Sequence, residues 1–253
     1  MNFLIFLIYV VIPGIILAII FSRKHKKNKE KIASMSDEEK KAINVKKHTR
    51  NYFTNDTTLP GVKGGAYASL KSDAEYEKIV KSHFSIEETK NRALETLGLD
   101  ESEITEIDPI FFEDYYFGTD EDIEQFLEYR MNFAPISFNT NYDYLNIMLG
   151  IGKDGKLRSS AYQVTWLFST PKQVCVYQKI FYLHKGETEE INRLFPWKHV
   201  TSISTSRKSL KLKGEKRDYF LLNVAGSEPF ECTMVPTDKI TRAIFAISQK
   251  LLE

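Results

Sequence analysis

The longest apolar run in the chain lies at its beginning. Residues 3–21, bounded by Phe3 and Phe21, carry no side chain that is charged at neutral pH. An α-helix rises about 1.5 Å per residue, so a helix over this run would measure roughly 28 Å, close to the hydrocarbon thickness of a bilayer. Pro13 and Gly14 lie inside the run, and a membrane-embedded helix tolerates both residues. The pattern predicts a transmembrane anchor over residues 1–22.

Basic residues follow the apolar run at once: Arg23, Lys24, Lys26, Lys27, Lys29 and Lys31. Cytoplasmic flanks of membrane helices carry such an excess, so we expect the N-terminus outside the cell membrane and the rest of the chain in the cytoplasm. The same cluster would also attract anionic lipid. A cleaved secretory signal fits less well, because the chain lacks a basic start and a small-residue cleavage site. An uncleaved signal with an extracytoplasmic domain stays an alternative.

Helical spacing appears after the basic cluster. Residues 23–70 are predicted as a juxtamembrane stalk and linker, since residues 55–65 are rich in glycine and contain Pro60. Residues 71–139 are predicted as a helical region, because Ser72 and Ser85 each precede a glutamate by three positions, the spacing of a capping box. The aromatic-rich stretch 107–117 lies inside this region, and we expect it to pack on a neighbouring element.

Alternating polarity replaces helical spacing from residue 142 onward. Tyr162, Val164, Trp166 and Phe168 share one face of a predicted strand, and several short strands follow it. The chain then ends in one apolar stripe at helical spacing, made by Ile240, Ala243, Ile244, Ile247 and Leu251. The sequence therefore predicts an α+β fold in which residues 140–253 form an antiparallel β domain with a C-terminal helix.

The stretch GIGKDGKL, residues 150–157, nearly matches a phosphate-binding loop. Gly150, Gly155 and Lys156 fit that pattern, but Leu157 stands where a magnesium-binding hydroxyl is needed. A phosphate-binding loop also precedes a helix, whereas the residues after Lys156 alternate as in a strand. Because Asp154-Gly155 between two strand-like runs is typical of a hairpin, we predict a β-turn here and no nucleotide site.

Composition excludes several classes of function. The net charge of +1 gives no overall attraction to nucleic acid. The two cysteines do not form a disulfide framework pattern, and the five histidines lack the spacing of a metal site. No nucleophile-elbow motif occurs. We therefore expect no metal, no cofactor and no catalytic residue.

Two stretches, RSSAYQVTWLFSTPKQVCVYQKIFYL and FPWKHVTSISTS, carry a family resemblance. Together with the order of short strands and one closing helix, they resemble bacterial pleckstrin-homology-like (PH-like) proteins of unassigned function. The resemblance covers roughly residues 140–253. It implies a strongly bent antiparallel sheet, or partly open barrel, that the C-terminal helix caps. It transfers no catalytic residue, and such folds serve unrelated functions.

Charge is unevenly distributed along the chain. Residues 100–128 carry acidic side chains without a lysine or arginine, and a basic stretch lies much later: Arg207, Lys208, Lys211, Lys213, Lys216 and Arg217. Two interpretations stay open for the basic stretch. It is either a solvated edge strand whose lysines prevent aggregation or a docking face for anionic lipid or an acidic protein surface.

These patterns together predict a single-pass, membrane-anchored cytoplasmic protein with a PH-like binding or scaffold module and no enzymatic activity. The alternative is an enzyme whose active site lies between the helical region and the β domain. A deep pocket that joins polar residues from both regions would favour the enzyme.

Overall fold

The computed structural model of the protein describes residues 22–23, 26–27, 29, 31–54, 72–104, 107–118, 147–209 and 216–252. The predicted anchor over residues 3–21 and the boundary predicted at residues 139/140 lie outside this part of the chain. Within these ranges, no helix is long and apolar enough to cross a membrane. The chain divides into two compact units, Met1–Asn44 and Val45–Glu253, and the β-sheets belong to the second.

Helices α1 (Asp37–Thr54), α2 (Asp73–Lys81) and α3 (Ile86–Leu97) precede the strands. Ser72 forms the predicted capping box with Glu75 at the start of α2. Ser85 accepts a hydrogen bond from the backbone N–H of Glu88 at the start of α3. Gly98 ends α3 in the left-handed conformation that favours glycine, with φ of 64°. Both predicted helix starts are therefore confirmed.

Nine strands in the described part of the chain form three open antiparallel sheets. Their bounds are β1 Ile110–Tyr116, β2 Leu149–Ile151, β3 Leu157–Ser159, β4 Ala161–Ser169, β5 Gln173–Tyr182, β6 Glu187–Pro196, β7 Val200–Ser209, β8 Lys216–Val224 and β9 Phe230–Met234. The sheet orders are β1-β4-β5-β6, β2-β3 and β7-β8-β9. Short 3₁₀ helices cover Glu101–Glu103, Trp197–His199 and Lys250–Leu252. The predicted α+β class is confirmed.

Strand β1 corrects the prediction of a helical region over residues 71–139. It pairs antiparallel with β4, from Ile110 opposite Leu167 to Tyr116 opposite Ala161. Ile110 and Phe112 point into the core, while Phe111 contacts Trp166 on the other face of the sheet. Aromatic and β-branched residues suit such a pleated, buried surface. The helical prediction is therefore wrong at residues 110–116, although this stretch does pack on a neighbouring element.

The main core lies between the four-stranded and three-stranded sheets and beneath helix α4, Asp238–Gln249. Thr237 caps α4 by accepting a hydrogen bond from the Ile240 N–H, at 3.2 Å. Ile244 and Ile247 are buried in the core, and Ile240 packs against it. The predicted C-terminal amphipathic helix and its apolar stripe are confirmed.

Helices cover the outer face of the four-stranded sheet. Tyr162 and Val164 belong to a cluster with residues of α1 and α2, and Trp166 belongs to a second cluster with Ala93 and Leu94 of α3. Strand β4 is therefore buried at all nine positions, because helices cover one face and the main core covers the other. The predicted common face of Tyr162, Val164, Trp166 and Phe168 is confirmed.

The near-match to a phosphate-binding loop is a hairpin. β2 and β3 pair antiparallel, and the Gly152 N–H donates to the Lys156 carbonyl oxygen at 2.9 Å. Gly155 has φ of 81°, which glycine adopts without steric cost. A strand and not a helix comes after Lys156, so the predicted turn is confirmed.

Candidate binding cleft

A cleft of about 290 Å³ lies where the β2–β3 hairpin meets the start of β8 and the end of β9. Tyr115 and the apolar residues Met234, Val235 and Pro236 form part of its wall. Seven charged side chains also line it: the cations Lys156, Arg158, Lys216 and Arg217 and the anions Glu77, Asp114 and Asp218. The cleft is therefore the place where α2, β1, the hairpin and β8 bring opposite charges together.

Arg158 forms one wall of the cleft and is almost fully buried, with 2% of its side chain exposed. Its Nη1 and Nη2 atoms donate to the two carboxylate oxygens of Asp154 at 2.7 and 2.8 Å, and Nη2 also donates to Glu77 at 2.6 Å. This bidentate geometry is the strong form of an arginine–carboxylate pair. The hydrogen bond from Arg158 is the main reason why the pKa of Asp154 lies well below its usual range.

Helices α1 and α2 hold the Arg158 cluster in place. Asp73 lies 3.9 Å from Arg158 Nη1 and accepts a hydrogen bond from the Tyr52 hydroxyl at 2.8 Å. The Tyr52 ring stacks on Tyr76, with ring centroids 4.4 Å apart. Gly152 passes so close that an added Cβ would lie 2.2 Å from Arg158 Nη1. Only glycine fits at this position, because any side chain would displace the guanidinium.

Arg217 forms the opposite wall and joins three elements. Its Nη2 atom donates to the Leu157 carbonyl oxygen at 2.9 Å, and its Nη1 atom lies 3.6 Å from Asp114. The guanidinium also lies over the Phe117 ring, 3.6 Å from the centroid. Arg217 therefore connects β8 to the hairpin and to the end of β1.

Asp114 is the buried carboxyl of the cleft. Burial raises its pKa above the usual value, although the neighbouring Arg217 acts in the opposite direction. A polar chain continues inward from this point: the Gln163 amide donates to Thr233 Oγ1 at 2.7 Å and accepts from Gln178 at 2.9 Å. Asp114 is thus a buried carboxyl at the edge of a buried hydrogen-bond network.

The predicted basic residues do not share one exposed face. Arg207 is exposed and makes two hydrogen bonds to Asp218 at 2.8 and 3.0 Å. Lys208 pairs with Glu231 at 2.5 Å, and Lys216 is exposed at the rim of the cleft. Arg217, which the sequence offers as a further lipid- or partner-binding residue, is buried and pairs with Asp114. Lys211 and Lys213 lie outside the described residues.

Sequence reasoning did not assign Arg158 or Asp114 to a site. Arg158 comes directly after the turn sequence, in a strand that is otherwise uncharged. This position was the signal in the sequence that could have indicated a buried charge. Asp114 lies in the stretch that the sequence predicts as helical, so its position opposite Gln163 could not be predicted. Within the described ranges, no group of histidine, cysteine, aspartate and glutamate side chains is arranged to hold a metal ion.

Comparisons with known family models, curated proteins and solved structures each found no match to this chain. The PH-like resemblance therefore stays a prediction.

Proposed function

We propose that this protein is a membrane-anchored, PH-like binding module that contacts anionic lipid head groups through the cleft and the neighbouring basic residues of β7 and β8. The strand order supports the PH-like assignment. A four-stranded meander-like sheet precedes a three-stranded meander, and one C-terminal helix packs on the core between them. β1 also lies beside β9, as expected of a bent sheet that closes on one side into a partly open barrel.

The observation that carries the proposal is the pair of exposed lysines at the rim of the cleft. Lys156 extends from the hairpin, and Lys216 begins β8. Neither lysine forms an ion pair with any carboxylate in the described part of the chain. By contrast, each acidic residue that lines the cleft forms an ion pair: Glu77 with Arg158, Asp114 with Arg217, and Asp218 with Arg207 outside the cleft. The two lysines therefore place positive charge at the rim that no ion pair within the described residues compensates.

Because the predicted anchor holds the module at the membrane, weak contacts with lipid head groups are sufficient for binding. A basic side chain near an anionic membrane surface contributes about 1 kcal/mol. Two or three such contacts would be weak for a freely diffusing protein. A tether converts them into an intramolecular event with a high effective concentration. The module would therefore respond to the lipid composition of the bilayer that holds it.

Lysine footprinting of the full chain tests this proposal. The chain is reconstituted into nanodiscs of neutral lipid or of neutral lipid mixed with anionic phospholipid, and lysine acetylation rates are measured by mass spectrometry. We expect Lys156 and Lys216 to be acetylated more slowly in the anionic discs. Lys172, an exposed lysine in the β4–β5 turn, serves as the internal control and should react equally in both.

Two outcomes of this measurement decide whether the cleft contacts anionic lipid. Slower acetylation that is lost at high salt would support a charge-dependent contact, because salt screens exposed charges. Equal rates in neutral and anionic discs would exclude lipid as the ligand of this cleft.

An enzyme remains the second candidate, because the cleft joins Glu77 of α2 with polar residues of the sheets. Asp114, whose pKa is raised by burial, is the carboxyl suited to act as a general acid. Hydrolysis of a panel of p-nitrophenyl esters and phosphates tests this. Turnover that Asp114→Asn abolishes and the exposed control Glu228→Gln retains would favour an enzyme. Turnover that Asp114→Asn leaves unchanged would argue against it.

A further inference from the structure

Strand β6 lies at the edge of the four-stranded sheet. It pairs with β5 over its whole length, from Glu187 opposite Tyr182 to Pro196 opposite Gln173. Among the described residues, no strand pairs with its other edge. Exposed strand edges are templates for pairing with another chain, and proteins protect them with charged side chains or proline. The composition of β6 therefore shows where pairing is discouraged.

The carboxylates of β6 lie in its first half. Glu187, Glu189 and Glu190 place three carboxylates there. The second half, residues 191–195, has no carboxylate, and Leu194 exposes 52% of its surface. Pro196 then ends the strand. The second half of the edge is therefore short, free of carboxylates and partly apolar.

A cavity of about 570 Å³ lies beside the second half of β6. Leu194, Pro196 and Val224 supply apolar wall, and Arg193, His199 and Glu228 supply polar groups. The Arg193 guanidinium lies 5.9 Å from the centroid of the Phe230 ring. No ion pair to Arg193 occurs among the described residues. The cavity thus combines an apolar surface with an available cation.

This cavity is separate from the candidate cleft. β8 begins with Lys216 at the cleft and ends with Val224 at the cavity. Eight steps of about 3.3 Å along a strand give a separation of about 26 Å. One small ligand therefore cannot occupy both places.

We propose that the second half of the β6 edge binds an extended segment of a partner protein by strand addition. Backbone groups of the segment pair with the edge of residues 191–195. One apolar side chain enters the cavity against Leu194 and Val224, and a carboxylate of the segment pairs with Arg193. Alternation of apolar and acidic residues places both groups correctly, because alternate side chains of a strand point to opposite faces. The inference is independent of lipid binding at the cleft.

Defined peptides test this inference on the full chain in neutral nanodiscs. The probe is a fluorescent hexapeptide that alternates valine and aspartate, and binding is measured by anisotropy, with empty discs as the blank. We expect a Kd on the order of 0.1–1 mM, as for a short peptide with few contacts. Replacing the aspartates by lysine should abolish binding. Arg193→Gln should weaken binding about tenfold, whereas Lys153→Gln, at the hairpin turn, should leave it unchanged.

N-methylated peptides separate strand addition from simple charge attraction. Two versions are made, each methylated at one of the two alternate sets of amides. Only one set faces the β6 edge in an added strand, so one version should lose binding and the other should keep it. Equal binding of the two versions, or no binding of the unmodified peptide, would overturn the proposal.

A second copy of the chain is the competing occupant. Analytical ultracentrifugation of the full chain in detergent distinguishes the two cases. A monomer that binds the peptide supports the proposal. A dimer that Arg193→Gln dissociates would identify a second copy as the occupant and overturn it.

Discussion

Replacing Arg158 by methionine tests how the candidate cleft is held together. The substitution keeps most of the apolar volume and removes the guanidinium, which donates two hydrogen bonds to Asp154 and one to Glu77. The three acidic residues around it then have no arginine to balance them. We expect the variant to fold with reduced stability.

The size of the stability loss depends on how exposed the carboxylates are that Arg158 binds. Hydrogen bonds to charged groups contribute about 1.5–3 kcal/mol each. Asp154 and Glu77 are 37% and 49% exposed and regain water when Arg158 is lost, so the lower value applies. Three bonds then give about 4.5 kcal/mol, and relief of the buried guanidinium's desolvation offsets part of it. We predict a loss of about 3 kcal/mol in the free energy of unfolding.

Urea denaturation of the full chain, monitored by the fluorescence of Trp166 and Trp197, measures this loss. Arg207→Met is the matched control, because Arg207 makes a similar two-bond pair with Asp218 but is 60% exposed. That control should leave stability unchanged within error, since exposed pairs contribute little. The double variant Arg158→Met/Asp154→Asn should recover part of the loss. Equal effects of the two arginine substitutions would refute the reasoning.

The remaining predictions concern the hairpin, the core and the thiols. Gly152→Ala should lower the free energy of unfolding in urea by at least about 2 kcal/mol, because the added Cβ would overlap Arg158. The control Gly226→Ala should lower it by about 1 kcal/mol, because Gly226 has φ of 75° but open space around it. In thermal denaturation, Gln163→Leu should lower the free energy of unfolding by about 2 kcal/mol, because it leaves the buried Gln178 amide without its acceptor. The control Gln249→Leu, at an exposed site, should have no effect in the same measurement. Burial raises the pKa of the Cys175 thiol to about 11, so a thiol reagent at pH 8 should react with it only in urea. Because the folded thiol stays protonated where the unfolded thiol ionises, its contribution to stability should be present below pH 9 and lost as the pH rises towards 11.

Local signals explain which parts of the fold the sequence predicted. The helix starts at Ser72 and Ser85, the hairpin at Gly155 and the stripe of α4 each depend on a few neighbouring residues. Strand β1 was missed for a physical reason. Phe111 and Phe112 are adjacent and point to opposite faces, and both faces of this sheet are covered. Aromatic residues therefore occupy both faces, and the alternation that would predict a strand is hidden.

The candidate cleft was harder to predict because its residues are distant in sequence. The basic stretch includes Lys216, but the burial of Arg217 depends on Phe117 and Asp114, which the chain brings close only after folding. Counting charges along a strand gives no information about such partners. The sequence could therefore predict the excess of cations on β7 and β8 but not the cleft into which two of them point.

The most direct test of lipid contact at the cleft measures the access of water to its rim. Val235, which lines the cleft and is 53% exposed, is replaced by cysteine and spin-labelled in the full chain, since the native Cys175 and Cys232 are buried. Power-saturation electron paramagnetic resonance then reports collisions with a water-soluble nickel chelate. We predict that collisions fall when anionic phospholipid is added to neutral nanodiscs and stay constant for a label at Lys172. Unchanged collisions at position 235 would contradict the proposed contact between this module and the membrane.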